Sequence, residues 1–370
     1  SKFTAKKSKY WNVENYIDDK PFDVEEFFSI LSESIDLRTT ADVPVANFLS
    51  GGVDSTSIIK NLVDNQKGVN SFSIYLEGSK YDESKYIKEV VSKYNLDHKS
   101  TTISSNISFD EINQSLDSLD EPYSDPSVVP SYILSKQISQ FYKVAISGDG
   151  GDELLGGYER TMRSLQKSSS VSNLISKTYN IYPAILGTGN KLLSKSSSLE
   201  TKYRSFLEDK KLIKLLNVSS DDNTYADGLD YKDVYYYKNL LIADYKLFLP
   251  EMMMFKIDRT SMANSLEVRS PFVDHKLIEF VMSSDTTYLN PNKPKEILKK
   301  YLSTDFTDNF IDRDKQGFVF DVESWVFNNL DYISDTISNG HIVSALNDNI
   351  INLLSINKSR INGQRIWKLF

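Results

Sequence analysis

The chain has 370 residues, of which 40% are hydrophobic and 25% are charged, so it is long enough to bury the core of one large globular domain or two. Its net charge of −8 argues against a nucleic-acid partner, and no window approaches the roughly 20 apolar residues that a membrane span requires. Cysteine is absent and there are only three histidines, which excludes disulfides and a thiol nucleophile, leaves little room for a histidine metal site, and favours a soluble, cytoplasmic protein.

Helices and strands alternate from Asp23 to Ile146. An amphipathic helix with an acidic start is predicted over Asp23–Leu31. Four β-type runs follow at 43–49, 71–76, 98–103 and 141–146, with helical stretches between them. This alternation predicts an α/β fold with a doubly wound parallel sheet, in which ligands bind at the carboxyl ends of the strands.

The remainder of the chain is predicted to be helical. Serine clusters separate helical pieces between Glu159 and Asp230, which indicates a variable helical excursion. From Tyr235 onward, helix-like runs follow one another and no strand alternation is sustained. We therefore divide the chain into an N-terminal lead with the α/β part (1–160), the excursion (161–234) and a helical C-terminal part (235–370).

The loop Ser50–Ser55 lies between the first predicted strand and a predicted helix. Two glycines allow close approach of a ligand, and the first N–H groups of a helix attract anions such as pyrophosphate. The loop lacks the lysine of a phosphate loop and the third glycine of a dinucleotide fingerprint. Its carboxylate, Asp54, makes sense in an anion site only if a cation lies between it and the phosphates. Taken alone, the loop also fits an ordinary turn.

A second loop repeats this logic after the fourth predicted strand. Ser147–Glu153 holds glycines and three carboxylates, Asp149, Asp152 and Glu153, which repel one another unless a metal or a cationic ligand compensates. If the first and fourth strands are neighbours, Asp54 and Asp152 can face each other across one ion. The alternative is that these acids only solvate a loop.

At these residues the chain resembles the asparagine synthetase family. Ser50–Ser55 is similar to the pyrophosphate loop of the ATP-pyrophosphatase class, and Ser147–Tyr158 (SGDGGDELLGGY) is similar to the second signature of that family. Four further stretches resemble family motifs in the same order: 72–84, 120–127, 256–275 (its most recognisable helical segment) and 313–318 (RDKQGF).

The resemblance implies an adenine nucleotide alpha hydrolase-like fold with ATP and Mg²⁺ as cofactors, residues 1–160 binding the nucleotide and residues 235–370 completing the active site. A substrate carboxylate would attack the α-phosphorus of ATP to give an acyl-adenylate, and a nitrogen nucleophile would displace AMP. Asp54 and Asp152 would bind Mg²⁺, and Lys315 would stabilise developing negative charge as a catalytic residue. The implied ATP contacts are Leu49, Ser50, Gly51, Gly52, Asp54, Ser55, Ile74, Ser147 and Gly148.

Two features depart from the family pattern. The usual N-terminal glutaminase domain, with a cysteine as its first residue, does not precede Tyr10-Trp11 in this chain. Either the chain is one half of a longer protein, or ammonia arrives free or from a partner, or another amine is the nucleophile. On the substrate side, Asp149 occupies a catalytic position where amide-forming relatives carry Glu or Asp, whereas the segment 250–256 is richer in methionine than in many relatives.

The methionines leave two interpretations open. They fill a helix face, as methionine readily does, or they line a pocket for a bulkier or more apolar acid than aspartate. The leading hypothesis is a ligase that makes asparagine from aspartate. The alternatives are amidation of a uronic-acid sugar or of a peptide or small-molecule precursor, and a silent nucleotide-binding subunit. A homo-oligomer is compatible with the sequence.

Overall fold

A computed structural model describes residues 8–76, 79, 81–104, 107–165, 177–195, 199–216, 236–313, 317–339 and 348–370. At its centre lies a sheet of five parallel strands, in the order β3-β2-β1-β4-β5. Their bounds are β1 Val45–Phe48, β2 Asn70–Tyr75, β3 Asp97–Thr102, β4 Val144–Ile146 and β5 Glu267–Arg269.

The strand order confirms the predicted doubly wound sheet. β1 pairs with β2 on one side and with β4 on the other, so that Ala46 lies opposite both Asn70 and Ala145. Chain progression reverses direction at β1, which makes the crevice between β1 and β4 the switch point of the sheet. The conditional prediction that the first and fourth strands are neighbours is therefore confirmed.

The helices that connect the strands cover both faces of the sheet. In the first half of the chain they are α1 Val24–Thr39, α2 Val53–Asp64, α3 Ser84–Tyr94, α4 Phe109–Asp117, α5 Val128–Ile138, α6 Gly151–Leu155 and α7 Glu159–Leu165. One core, which includes Phe72 and Val129, places α4 and α5 on one face. A second core, which includes Leu31 and Ile58, places α1 and α2 on the other.

The second half of the described chain is mostly helical, as predicted. Its α-helices are Asn190–Leu193, Leu199–Leu207, Lys210–Leu215, Tyr236–Ala243, Phe255–Met262, His275–Ser283, Glu296–Leu302, Asp308–Ile311, Val322–Asn328, Leu330–Asn339, Asp348–Ser355 and Arg360–Leu369. Short 3₁₀-helices lie at Val13–Tyr16, Thr178–Ile181, Ala184–Leu186 and Pro271–Val273, and a π-helix spans Asp244–Met254. The three-part division at 160 and 234 stays a prediction.

One expectation was wrong. The stretch 256–275 is described above as a helical segment, but its helix ends at Met262 and an unpredicted strand, β5, follows at Glu267–Arg269, beside β4. Three residues are too few to show alternation, and β5 forms because the backbone of β4 offers hydrogen bonds, with Glu267 N–H donating to Lys143 O. Among the described residues, no helix has the length and apolar character needed to cross a membrane.

Candidate active site

The first loop forms a tight turn between β1 and α2. Gly51 has φ +72°, and a Cβ there would lie 3.0 Å from the backbone nitrogen of Ile87, so the turn requires glycine. The hydroxyl oxygens of Ser50 and Ser55 lie 3.1 Å apart, and Gly52 N–H donates to Ser50 Oγ at 3.3 Å. α2 begins at Val53, which places the buried Asp54 in its first turn.

The second loop packs directly against the first. Ser147 N–H donates to Arg269 O at 2.9 Å and extends β4, after which Gly150 turns the chain with φ +90°. A Cβ on Gly148 would lie 3.0 Å from Ser55 N, and one on Gly151 would lie 2.7 Å from Asp54 Oδ1. These two glycines therefore let the acidic turn of α6 approach Asp54, as the sequence predicted for the two loops.

A buried lysine joins the two carboxylates. Lys295 Nζ lies 2.6 Å from Asp54 Oδ2 and also forms an ion pair with Asp152 Oδ1. The lysine is only 5% exposed, and Gly157 leaves it room because a Cβ there would lie 2.4 Å from Lys295 Cε. Asp54 and Asp152 thus face each other across a cation, and in this structure that cation is an ammonium group.

Sequence reasoning missed Lys295, which it included only in a helix-like run. The helix begins at Glu296, and Lys295 is its N-cap residue, with φ +57°. A cation is electrostatically unfavourable at the positive end of a helix dipole, and a non-glycine residue rarely adopts positive φ. A lysine at this position therefore needs carboxylates close by, which is the signal that could have identified it.

The two carboxylates fit the predicted magnesium ion by their chemistry. Mg²⁺ prefers oxygen ligands and is bound in nucleotide sites by one or two carboxylates together with phosphate and water oxygens. Asp54 and Asp152 come from neighbouring loops at the carboxyl edge of the sheet, where the pyrophosphate is expected. Among the described residues no group of three or more His, Cys, Asp or Glu is arranged to hold a metal ion. Magnesium binding stays a prediction.

Glu153, the third acid of the second loop, lies in the core beneath the site. It is 1% exposed, and the Tyr158 hydroxyl donates to its Oε1 at 2.6 Å. Burial, together with the charge of Asp152, raises the pKa of Glu153 to about 7. Sequence reasoning counted this acid in the cluster but gave it no role.

The basic motif at 313–318 reaches the first loop through Arg313. Its Nη2 donates to Gly51 O at 2.9 Å, its Nη1 forms an ion pair with Glu83, and the guanidinium lies over the Tyr86 ring at 4.0 Å. Sequence reasoning included Arg313 in the motif without a role. Lys315, the predicted catalytic cation, lies outside the described residues.

The remaining predicted ATP contacts lie at the same edge of the sheet. Leu49 N–H donates to Phe72 O at 2.9 Å, and Ile74 is a buried residue of β2. The hydroxyl oxygens of Ser147 and Ser270 lie 2.9 Å apart. The structure brings these residues together with the two loops, and their contact with ATP stays a prediction.

Asp149 lies half-buried at the tip of the second loop, near a tyrosine that sequence reasoning did not select. The Tyr123 hydroxyl donates to Met252 O at 2.7 Å. Burial raises the pKa of Tyr123, and the charges of Asp125 and Asp149 raise it further, so Asp149 is an electrostatic neighbour of this ring. Tyr123 therefore lies between the acidic loop and the methionine segment.

Comparison with known proteins points to one family. The family model described as asparagine synthase matches residues 26–362. The glutamine-hydrolyzing asparagine synthetase 1 of Bacillus subtilis (strain 168) is 26% identical over 367 residues, which cover 93% of this chain and 57% of the relative. A putative asparagine synthetase 2 of Methanocaldococcus jannaschii is 38% identical over 159 residues, 41% of this chain and 30% of the relative. Amidase chyE of Penicillium rubens is 24% identical over 385 residues, 85% of this chain and 56% of the relative. The chain spans about half the length of the curated relatives it matches.

Proposed function

Because the chain belongs to the asparagine synthase family, we propose that it is an ATP-dependent carbon–nitrogen ligase that converts aspartate and ammonia into asparagine, AMP and pyrophosphate. The observation that supports this most strongly is the meeting of two glycine-acid loops around one buried ammonium group at the carboxyl edge of the sheet. Such an arrangement suits the triphosphate of ATP, which must be bound and of which pyrophosphate is then released.

In this proposal the pyrophosphate of ATP lies over Ser50–Ser55. Gly51 and Gly52 allow the backbone to approach the phosphates, and the first turn of α2 directs its N–H groups towards them. Asp54 and Asp152 would hold Mg²⁺. Bound Mg²⁺ would neutralise part of the negative charge of the leaving pyrophosphate. Lys295 positions the two carboxylates, because it contacts both of them.

The acid substrate would bind on the Asp149 side. An oxygen of its carboxylate attacks the α-phosphorus, the bond to pyrophosphate breaks, and an acyl-adenylate forms. Ammonia then attacks the acyl carbon, and AMP leaves with the oxygen that came from the acid. Lys315 would stabilise the negative charge that develops in both steps, and the contact between Arg313 and Gly51 supports this role because Arg313 belongs to the same motif.

Ammonia would arrive free, or from a glutaminase domain or partner. The 370 residues hold no cysteine that could release it from glutamine. A second candidate acid, bulkier or more apolar than aspartate, is favoured by the half-buried Met252, Met253 and Met254, of which Met252 accepts a hydrogen bond from the Tyr123 hydroxyl. Uronic-acid sugars and peptide precursors belong to this second group.

Pyrophosphate release with a panel of acids and ammonium tests the proposal. We expect aspartate to give the fastest release, and Lys315→Met to lower the rate by about 10²–10³ because a fixed charge in the transition state is lost. Lys299→Met, on the surface of a neighbouring helix, is the control and should be nearly unchanged. Faster release with another acid would remove aspartate as the substrate. Nucleotide binding without turnover on any acid would identify a silent subunit instead of a ligase.

A further inference from the structure

A second buried lysine lies on the other side of the site and lacks the acidic partners of Lys295. Lys256 is 4% exposed, and its Nζ donates to Ser127 Oγ at 3.0 Å and approaches Met253 Sδ at 3.9 Å. No carboxylate in the described part of the chain lies within 4.0 Å of this nitrogen. An ammonium group has three donors, and a buried charge without a counter-ion is costly, so the arrangement favours an anionic ligand.

The topology places Lys256 at the same edge of the sheet as the two loops. Ser127 immediately precedes α5, which leads into β4, and Lys256 lies in the first turn of Phe255–Met262, which leads into β5. The connecting helices of a parallel sheet run antiparallel to its strands, so the start of α5 lies at the carboxyl edge. Lys256 belongs to a helical stretch that continues from the π-helix Asp244–Met254, and its bond to Ser127 places its Nζ at the same edge. The two helices also pack against each other.

Lys295 and Lys256 belong to different faces of the sheet. Lys295 precedes a helix that packs on α2, whereas Lys256 lies beside α5, on the opposite face. The phosphates are expected at the start of α2, where Lys295 already supplies a positive charge. Lys256 is therefore available to the other substrate, the acid.

Tyr123 connects Lys256 to the acid side of the site. Its hydroxyl donates a hydrogen bond to Met252 O, and its ring centroid lies 5.8 Å from that of Phe255. The charge of Asp149 acts on the same ring. Two acids lie two residues from the Lys256–Ser127 pair along the chain: Asp125, whose Oδ1 accepts the backbone N–H of Ser127 at 2.9 Å, and the exposed Asp258, which forms an ion pair with Arg259. The pair thus presents an ammonium and a hydroxyl beside half-buried methionines.

We propose that Lys256 and Ser127 bind a second carboxylate of the acid substrate, one that is not adenylated. This inference rests on the proposed ligase function and defines its substrate class: acids that carry a second anionic group, such as an amino-acid α-carboxylate, are preferred over acids with one carboxylate. The methionines would contact the aliphatic part of the acid. Lys256 and Ser127 are then residues that determine specificity.

The test compares aspartate with 3-aminopropanoate, which has the same reacting carboxylate but lacks the second one. Wild-type protein should prefer aspartate in kcat/KM. Lys256→Met should raise the KM for aspartate by about 10- to 100-fold, the range expected for a lost charged hydrogen bond, and should leave the KM for ATP and for 3-aminopropanoate unchanged. Lys136→Met, on the exposed side of α5, is the matched control and should change none of these constants.

Ser127→Ala provides a second variant that removes only a hydroxyl. It should raise the KM for aspartate several-fold, again without an effect on 3-aminopropanoate. Equal effects on both acids, or an effect on the KM for ATP, would overturn the inference while leaving the ligase function intact. Absence of pyrophosphate release by wild-type protein with every acid would instead remove the ligase function itself.

Discussion

Lys295 shows how a single side chain can hold two loops together. Its Nζ contacts Asp54 and Asp152, which are 9% and 12% exposed, so all three charged groups are largely removed from water. The desolvation cost of such a group is offset only while every partner is present. Removing the lysine would leave two carboxylates facing each other at the crevice between β1 and β4.

Lys295→Met is therefore expected to lower the free energy of unfolding by about 3–5 kcal/mol, the usual cost of breaking a buried pair. Urea unfolding at pH 7 in the presence of EDTA measures this change. Added Mg²⁺ should recover part of the loss in the variant, because a cation would again lie between the carboxylates. Lys299 lies on the same helix that Lys295 precedes, and Lys299→Met breaks an ion pair of 2.9 Å with the exposed Asp312, so this variant should cost below about 1 kcal/mol. Equal stability of the two variants would contradict this account.

At the residue scale, the sequence predicted the two carboxylates, Asp54 and Asp152, but not the cation between them, Lys295. Asp54 and Asp152 follow strands and glycines, which are local patterns, and the structure brings them together. Lys295 lies 241 residues after Asp54 and is one of several lysines near the start of its helix. Its contact depends on how that helix packs on α2, which no local pattern specifies.

At the element scale, local patterns predicted the strands of the first half and missed β5. β1 to β4 carry the β-type runs that sequence reasoning selected, whereas β5 is three residues long and exists through its pairing with β4. The same dependence on long-range contacts holds for the C-terminal helix Arg360–Leu369. Arg365, 1% exposed, donates from Nε to Asp209 Oδ2 at 2.7 Å across 156 residues.

Asp209→Asn tests this anchor through its dependence on pH. Burial raises the pKa of Asp209, but the bonds and charge of Arg365 outweigh it, so the net pKa lies below 3.8. A lowered pKa in the folded state gives stability that is present above pH 3.8 and is lost as the pH falls through the folded value. The free energy of unfolding of the variant should be about 3 kcal/mol below that of wild type at pH 7, and this difference should become smaller towards pH 3.

Urea unfolding of wild type and of Asp209→Asn between pH 7 and pH 3 measures this difference in the free energy of unfolding. Asp23→Asn is the matched control, because Asp23 also caps a helix, accepting from Glu25 N–H at 2.9 Å, but is exposed and forms no buried ion pair. Asparagine caps a helix about as well as aspartate, so this variant should be nearly neutral at every pH. A stability difference between Asp209→Asn and wild type that stays constant down to pH 3 would show that the ion pair is not the cause of that difference.

At the scale of the whole molecule, the parallel sheet explains why motifs so far apart in the chain form one site. Every strand points its carboxyl end to the same edge, so the loops after β1 and β4 lie there together with the start of α5 at Ser127, to which Lys256 donates. Alternation of helices and strands was sufficient to predict this edge. Which face each cation occupies follows from the packing of helices, and it could not be predicted from one sequence.

The central claim is that a carboxylate is activated by adenylation at this edge. Aspartate labelled with ¹⁸O in its side-chain carboxylate, incubated with ATP, Mg²⁺ and ammonium, tests it most directly. The account predicts pyrophosphate together with AMP that carries one ¹⁸O atom, because the oxygen that attacks the α-phosphorus leaves with AMP. Formation of ADP with ¹⁸O in inorganic phosphate, or of AMP without the label, would contradict it.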